Sequence, residues 1–302
     1  MNLVALILIT VSAVMHAGWN LLGKHENPDA AFFLVATAFG SVMMVPVVIF
    51  WLPLAPKISL HAWLLTALGG LFQALYYVTL AFTYRHGEMS VAYPISRSFP
   101  LVLVVLASLA LGKGAEISGL CLMGVAAIVA GSVVLPMARF RDVRLKSYAN
   151  ASSLMALVVA CTTAGYSVVD DVALSILVPA LEGDLRFCNI SLLYLFFQNG
   201  FAIFFLMVMT LPKKRGRKRV REIWRHRLRN TVIAGIGVTA TYSLVLMAMT
   251  LADNVTYVVA FRQLSIPLGT ALGVLVLKEQ RALPKLVGIS VISLGLVCVA
   301  LG

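Results

Sequence analysis

The chain has 302 residues, of which 61% are hydrophobic and only 12% are charged, and its mean hydropathy is +0.95. A soluble domain carries about half apolar and about a quarter charged residues, so this composition excludes the soluble classes and indicates an integral membrane protein. The formal net charge is +12, but residues 213–229 hold ten basic residues and one acidic residue. Most of the positive charge therefore belongs to one short segment and does not indicate nucleic-acid binding.

Apolar windows of about 20 residues, the length that crosses about 30 Å of hydrocarbon as a helix, predict ten spanning helices. The first window has no basic leading residues and no small-residue cleavage site, so we expect a retained helix and not a signal peptide. The predicted spans are residues 3–22, 30–52, 62–84, 89–111, 117–136, 149–178, 188–212, 231–252, 255–277 and 283–301.

The two halves of the chain repeat each other. Residues 69–83 resemble residues 235–250, with Gly69 aligned to Gly235. In the same order, Ala17 to Trp19 match Ala164 to Tyr166, and Gly124 and Gly131 match Gly288 and Gly295. The spacing between matched residues increases after the second span, which an insertion at the basic segment of the second half explains.

The ordered matches predict a five-plus-five duplication. Because five is odd, the two copies would cross the membrane in opposite directions, as in transporters with inverted-topology repeats. The fold class expected is an all-α integral membrane protein of ten transmembrane helices. Its predicted parts are residues 1–136 (first repeat), 137–148 (basic connecting loop) and 149–302 (second repeat, with the basic insertion 213–230).

Basic residues also predict the orientation. Three basic loops, at 139–146, 213–229 and 278–285, fall on one side of a ten-span protein, and an excess of Lys and Arg marks the cytoplasmic side. Both termini would then face outward. The basic segment 213–229 is expected to contact anionic lipid headgroups, with specific RNA or protein binding as the alternative.

Three sequence segments resemble a known family. They are HAGWNLLGK in the first span, AYPISRSFPLVLVVLASLALGKGAE from Ala92, and AFRQLSIPLGTALGVLVLKEQ from Ala260. With the ten-span duplication they are similar to the drug/metabolite transporter superfamily, in its EamA-like branch. This resemblance covers nearly the whole chain and implies transport of a small solute.

Two arginines lie inside predicted spans, where a charge is costly unless it is paired, faces a cavity or is functional. Arg97 in the fourth span and Arg262 in the ninth each precede a proline, Pro100 or Pro267. Pro94, Pro100 and Pro267 are expected to kink their helices. The arginines are predicted to form an anion-binding pair; the alternative is that each is a structural partner of an acidic residue or a free carbonyl.

Two neighbouring aspartates, Asp170 and Asp171, fall in the sixth span and are candidates for carrying a coupling proton. The alternative is a salt bridge to Arg97 or Arg262, or a position near the headgroups. His16 belongs to a polar stripe on the first span and is a substrate or proton-sensing candidate, against a structural histidine bonded to a neighbouring helix. Polar and aromatic residues predicted to line a central cavity are His16, Trp19, Asn20, Gln73, Tyr76, Tyr77, Tyr93, Arg97, Tyr166, Tyr242, Arg262 and Gln263.

The sequence contains no phosphate-binding loop and no hydrolase or metal-site motif. Two adjacent aspartates on one helix do not form a catalytic dyad, and the four cysteines have no paired spacing. We therefore expect no enzyme, catalytic residue, metal, cofactor or nucleic-acid partner.

The function predicted is a secondary active transporter, an exporter or permease of a small polar or anionic metabolite, in the bacterial inner membrane. It would act as a monomer or homodimer, driven by protons or a counter-substrate. Export of amino acids or amphipathic drugs, or a passive channel, is the alternative.

Overall fold

Every regular element in the described residues is a helix. The computed structural model describes residues 2–23, 28–86, 89–135, 137, 151–268, 270 and 283–302, without side-chain detail at 17, 19–23, 84–86, 89–95 and 151–153. The α-helices are α1 (Leu3–Gly23), α2 (Ala30–Val48), α3 (Leu60–His86), α4 (Met89–Ala110), α5 (Gly119–Val134), α6 (Ala151–Leu181), α7 (Phe187–Thr210), α8 (Lys214–His226), α9 (Leu228–Met249), α10 (Val255–Arg262) and α11 (Leu283–Leu301). Short 3₁₀ helices, Leu52–Lys57 and Lys113–Glu116, connect α2 to α3 and α4 to α5.

Within the described residues, six helices are long and apolar enough to cross a membrane. Shorter apolar helical stretches cover Leu3–His16, Ser96–Ala110, Gly119–Val134 and Val255–Leu268. The prediction of an all-α, multi-pass membrane protein is confirmed. The long helices are Ala30–Val48, Leu60–Thr83, Leu154–Leu181, Phe187–Thr210, Leu228–Met249 and Leu283–Leu301.

The outward faces of the helices are apolar, as lipid contact requires. On α1, Ile7, Val11 and Val14 are exposed, whereas Ala5 and Ile9 on the opposite face are fully buried. Residues three and four apart share one face of a helix, so α1 presents a continuous apolar stripe to the outside. A soluble protein would carry polar residues there.

Close packing of α5 against α11 depends on four glycines. A Cβ atom at Gly124 would lie 2.5 Å from the carbonyl oxygen of Gly295, and a Cβ atom at Gly295 would lie 2.7 Å from that of Gly124. Gly131 and Gly288 face each other in the same reciprocal way, at 2.8 and 2.9 Å. Because the first glycine of one helix meets the second glycine of the other, the two helices run antiparallel.

The basic segment that the sequence predicted as a loop is the helix α8. Lys and Arg are good helix formers, and the fully buried Ile223 anchors α8 to the protein. Arg219 forms ion pairs with Asp29 at 3.0 Å, where Asp29 also caps α2, and with Glu222 at 3.0 Å. Partial burial lowers the pKa of Arg219, but its bonds to Glu222 and Asp29 outweigh this and raise that pKa above its ordinary value. The Trp224 side chain is exposed beside α2.

Candidate functional site

A central cavity lies between the helices, with a volume of about 90 Å³. That is room for several water molecules at roughly 10–15 Å³ each. Its walls come from α1, α3, α4, α6, α9 and α10, with Phe33 from α2. The lining residues are Ser12, Ala13, His16, Phe33, Gln73, Tyr76, Tyr77, Leu80, Ser96, Arg97, Pro100, Val159, Thr163, Tyr166, Val238, Thr241, Tyr242, Val245, Val259, Arg262, Gln263 and Ser265.

Arg262, the last residue of α10, is held by two tyrosines. Its guanidinium carbon lies 5.8 Å from the ring centre of Tyr166 and 5.5 Å from that of Tyr242. One terminal nitrogen, Nη2, donates a hydrogen bond to the Tyr166 hydroxyl at 3.2 Å. The other, Nη1, is buried and has no hydrogen-bond partner in the described part of the chain. Such cation–π contacts hold a guanidinium in place without neutralising it.

Arg97 reaches the same cavity from α4. Its Nη2 atom lies 3.3 Å from Nε2 of His16 on α1. A guanidinium has no acceptor, so His16 accepts at Nε2 in this arrangement and carries its proton on Nδ1. The two arginines thus have different neighbours, an imidazole for Arg97 and two phenol rings for Arg262.

Aromatic rings form a continuous wall of the cavity. Tyr166 meets Tyr76 and Tyr242 edge to face, with ring centres 5.8 and 5.7 Å apart. Tyr77 stacks on Phe33 at 4.5 Å. Edge-to-face and stacked rings stabilise one another beyond the burial of their area, so this wall is a rigid support for the cavity.

The ninth predicted span changes its helical geometry next to the cavity. After α10 ends at Arg262, the amides of Gln263, Leu264 and Ile266 bond to carbonyls three residues earlier. Pro267 lacks the amide hydrogen that would bond the Gln263 carbonyl, and Ile266 provides that bond instead at 2.9 Å. The tightened turn positions Arg262 and Gln263 at the cavity. In contrast, α4 is helical through Pro94 and Pro100.

Asp170 lies behind the aromatic wall and does not line the cavity. It is fully buried and accepts hydrogen bonds from Tyr194 at 2.6 Å, from Gln198 at 2.5 Å and from the hydroxyl of Tyr242. Gly69 on α3 closes over this group, because a Cβ atom there would lie 3.0 Å from the Asp170 carboxylate. Tyr242 therefore connects Asp170 to the cavity.

Asp171 points elsewhere. Its carboxylate pairs with Lys113 at 2.7 Å, in the 3₁₀ helix that follows α4. The alternative of a salt bridge to Arg97 or Arg262 is wrong for Asp171. Consecutive residues of a helix point about 100° apart, which explains why the two aspartates have separate surroundings.

Most of the predicted cavity residues line one cavity. The side chains of Trp19, Asn20, Tyr93 and Pro94 lie outside the described residues. Pro267 is buried but lies outside the lining. The predicted residues that do line the cavity are His16, Gln73, Tyr76, Tyr77, Arg97, Pro100, Tyr166, Tyr242, Arg262 and Gln263.

Sequence reasoning missed several polar lining residues, among them Ser96, Thr163 and Thr241. Small hydroxyl residues are common in apolar helices, where they bond to the carbonyl four residues earlier. Thr163 does so, with Val159 as its acceptor at 2.8 Å. Ser96 stands beside Arg97 in the sequence, and that proximity is the signal that could have identified it. Within the described residues, no group of three His, Cys, Asp or Glu side chains could hold a metal ion.

No protein-family model matches the chain, and no curated protein matches it. Among solved structures, one described as "Crystal structure of protein" resembles the chain with a TM-score of 0.70 at 16% sequence identity. The match covers 98% of this chain and 98% of that chain. At this sequence identity, the similarity shows only that the two chains share a fold.

Proposed function

We propose that the chain is a secondary active transporter, an exporter or permease, that moves a small anionic metabolite by alternating access through the central cavity. The observation that carries the proposal is the Arg262 guanidinium, which faces the central cavity and whose Nη1 atom has no hydrogen-bond partner among the described residues. A cation with a buried donor left unsatisfied is costly, and an anionic group bound at Nη1 would offset that cost. The sequence has no phosphate-binding loop, so a gradient or a counter-substrate would drive transport.

The arrangement of the cavity favours a carboxylate or a similar oxyanion. A guanidinium binds two acceptor oxygens in its plane, and Arg262 retains Nη1 for this purpose beside its bond to Tyr166. Arg97 adds a second positive charge on another wall. Tyrosine rings and hydroxyls would contact the apolar part of the solute and orient it.

The packing supports a duplication with inverted topology, as in the EamA-like branch of the drug/metabolite transporters. If α1, α2, α3, α4 and α5 correspond to α6, α7, α9, α10 and α11, the contacts exchange consistently. Helix α1 packs on α9 and α6 packs on α3, while α2 packs on α9 and α7 packs on α3. The self-matched pair α5 and α11 has reciprocal glycine contacts, as expected across a twofold axis. The repeats would be residues 1–136 and 149–302, with α8 in the insertion.

The proposed location is the bacterial inner membrane, with α8 on the cytoplasmic side. The basic face of α8 and its exposed Trp224 suit the headgroup region of an anionic bilayer. Arg221 is exposed on this helix. In the variant Arg221→Cys, the thiol should react with a membrane-impermeant maleimide in inside-out vesicles and not in right-side-out ones. Labelling in right-side-out vesicles only would place α8 on the outer side and contradict the proposed orientation.

Binding to purified full-length protein tests the proposal. A panel of carboxylates, organic phosphates, amino acids and cationic drugs would be screened by thermal shift in detergent. We expect small anions to stabilise the protein. Arg262→Gln should weaken their binding about 10- to 100-fold, which corresponds to the roughly 1.5–3 kcal/mol of a hydrogen bond to a charged group.

Two further variants make the screen specific. Arg97→Gln should weaken anion binding less than Arg262→Gln, because Arg97 already contacts His16. Arg221→Gln removes one exposed charge from α8 and is the matched control, with unchanged binding expected. Equal affinity for anions in all four proteins would contradict the proposal.

Transport of amino acids or amphipathic drugs is the second candidate. The aromatic wall of Phe33, Tyr76, Tyr77, Tyr166 and Tyr242 favours it, since ring faces attract cations as well as apolar groups. Competition by cationic compounds that persists in Arg262→Gln would support this candidate over the first.

A further inference from the structure

The surroundings of Asp170 set it apart from the other described carboxylates. It is fully buried, and no ion pair joins it to a cation in the described part of the chain. Three neutral donors hold it, from Tyr194, Gln198 and Tyr242. A carboxylate without a counter-ion in such a place is costly when charged, and hydrogen bonds offset that cost in part.

The helices packed against α6 bring the charged and titratable groups nearest Asp170, while the 3₁₀ helix Leu52–Lys57 contacts α6 with a lysine, Lys57, that pairs with Asp184. Helix α7 brings Tyr194, α9 brings Tyr242, and α10 brings Arg262 on the cavity side of the Tyr242 ring. Helix α3 covers the carboxylate with Gly69, and its Tyr76 meets Tyr166 of α6.

From the α4 side, Arg97 contacts His16 and Lys113 pairs with Asp171. Arg262 is the cation most directly linked to Asp170, through a shared tyrosine.

The Gln198 side chain can form a hydrogen bond with Asp170 in both protonation states of the carboxyl group. Its Nε2 donates to the carboxylate, while its Oε1 is buried and has no partner in the described residues. The two ends of an amide exchange positions by a 180° flip. In the ionised state Nε2 donates to Asp170, and after the flip Oε1 accepts from the protonated carboxyl. Each state then keeps a hydrogen bond at this position.

We propose that Asp170 is a proton-binding site whose occupancy is coupled to anion binding at Arg262, so that anion and proton are taken up together. The proposal rests on the proposed function. A proton from cavity water binds one carboxylate oxygen of Asp170, and no other bond is made or broken in the protein. An anion at Arg262 repels the ionised carboxylate behind Tyr242 and favours the neutral form. By linkage, the neutral form favours the anion by the same factor.

The geometry gives the proton a path from the cavity through Tyr242 and covers the carboxylate on the α3 side. The Tyr242 hydroxyl bonds to Asp170, and the Tyr242 side chain lines the cavity. On the α3 side, Gly69 allows the backbone to approach the carboxylate closely, so α3 covers it. Asp171 has an exposed fraction of 13% and a paired lysine, so it does not share these properties and is the matched control.

Infrared difference spectroscopy of full-length protein in nanodiscs tests the proposal, with protons as the first probe. We expect the carbonyl band of a protonated buried carboxyl group to disappear as pH rises. The band should be absent in Asp170→Asn and unchanged in Asp171→Asn. Tyr242→Phe removes one donor and should shift the band without abolishing it, which provides a second readout if Asp170→Asn does not fold. A titrating band that persists in Asp170→Asn, or no titrating band, would overturn the proposal.

The second probe is pyruvate, a small carboxylate, followed by the other anions of the binding panel. At a pH where the band is half lost, addition of a bound anion should restore it and remove protons from the medium, at most one for every two anions bound, because half of the Asp170 carboxyls are already protonated there. A band that titrates but does not respond to a bound anion would contradict the coupling. If no anion binds at all, the transport proposal fails, while the titration in Asp170→Asn still decides whether Asp170 binds the proton.

Discussion

The contact between α5 and α11 and the central cavity both involve segments that belong to the two proposed repeats, but the two regions differ in symmetry. At the α5 and α11 contact, Gly124 and Gly131 meet Gly295 and Gly288 reciprocally. In the cavity, Arg262 rests on two tyrosines whereas Arg97 contacts a histidine. Under the proposed duplication, backbone packing keeps the symmetry of the two repeats, whereas the polar side chains of the cavity depart from it.

The divergence is clearest at Asp170. The sequence offset that pairs Ala17 with Ala164 also pairs Gly23 with Asp170, so the first half has a glycine where the second half has the aspartate. The carboxylate, and the Tyr194 and Gln198 side chains that bind it, thus belong to the second half. A proton-binding group in one half only would give the two halves different parts in the transport cycle.

The largest effect is expected at the symmetric contact. In Gly124→Val, the new side chain would meet the Gly295 carbonyl and force α5 and α11 apart. Overpacking costs about 1–3 kcal/mol and more where backbone must move, so the thermal midpoint in detergent should fall by many degrees. Gly200→Ala on α7 is the control, because nothing lies within 4 Å of its Cβ position. A Gly124→Val protein as stable as the control would mean that the glycines do not hold this contact.

The second effect compares the neighbouring aspartates. Asp170→Ala leaves three buried donors without their acceptor, at about 1–3 kcal/mol for each group left unsatisfied, but it also removes the desolvation cost of a buried carboxylate, so the net loss should be smaller than in Gly124→Val. Asp171→Ala breaks a partly exposed pair worth about 1 kcal/mol or less. Thermal midpoints of the two variants should therefore differ clearly, with Asp170→Ala the lower. Equal thermal midpoints would show that the three hydrogen bonds to Asp170 do not stabilise the folded protein.

A smaller effect, on anion affinity, is expected when the Tyr166 side chain that contacts Arg262 is changed. Tyr166→Phe keeps the ring face but removes the hydroxyl that accepts from Nη2, so anion affinity should fall about fivefold for roughly 1 kcal/mol. Tyr166→Ala also removes the ring face and should fall further. Binding titrations measure both. An equal loss in the two variants would assign the whole effect to the hydroxyl and none to the ring.

The smallest effect is expected at the surface. Lys57 and Asp184 pair at 2.7 Å with side-chain exposures of 53% and 34%. Exposed pairs contribute about 0–1 kcal/mol and are screened by salt. Asp184→Ala should change the thermal midpoint little, and less at high salt. A large loss would reveal a contribution of this connection to the packing of the two halves.

The sequence was informative wherever local composition decides the structure. Apolar length predicted the six long apolar helices of the described residues, and the few charges in apolar surroundings pointed to Arg97, Arg262 and Asp170. Partners between distant helices could not be predicted, because they depend on the rotation of each helix about its axis. Tyr194 and Gln198 are examples. Helix α8 was missed because its charge suggested a loop, whereas Ile223 anchors it to the protein.

Transport in proteoliposomes tests the central claim most directly. With the anion that binds best in the screen supplied outside and an inward proton gradient, the wild-type protein should accumulate the anion above its external concentration. Arg262→Gln should lose at least 90% of this uptake, while Arg221→Gln should retain it. Equal uptake in wild type and Arg262→Gln, or flux that stops at equal concentrations despite the gradient, would contradict a secondary transporter that binds its anion at Arg262.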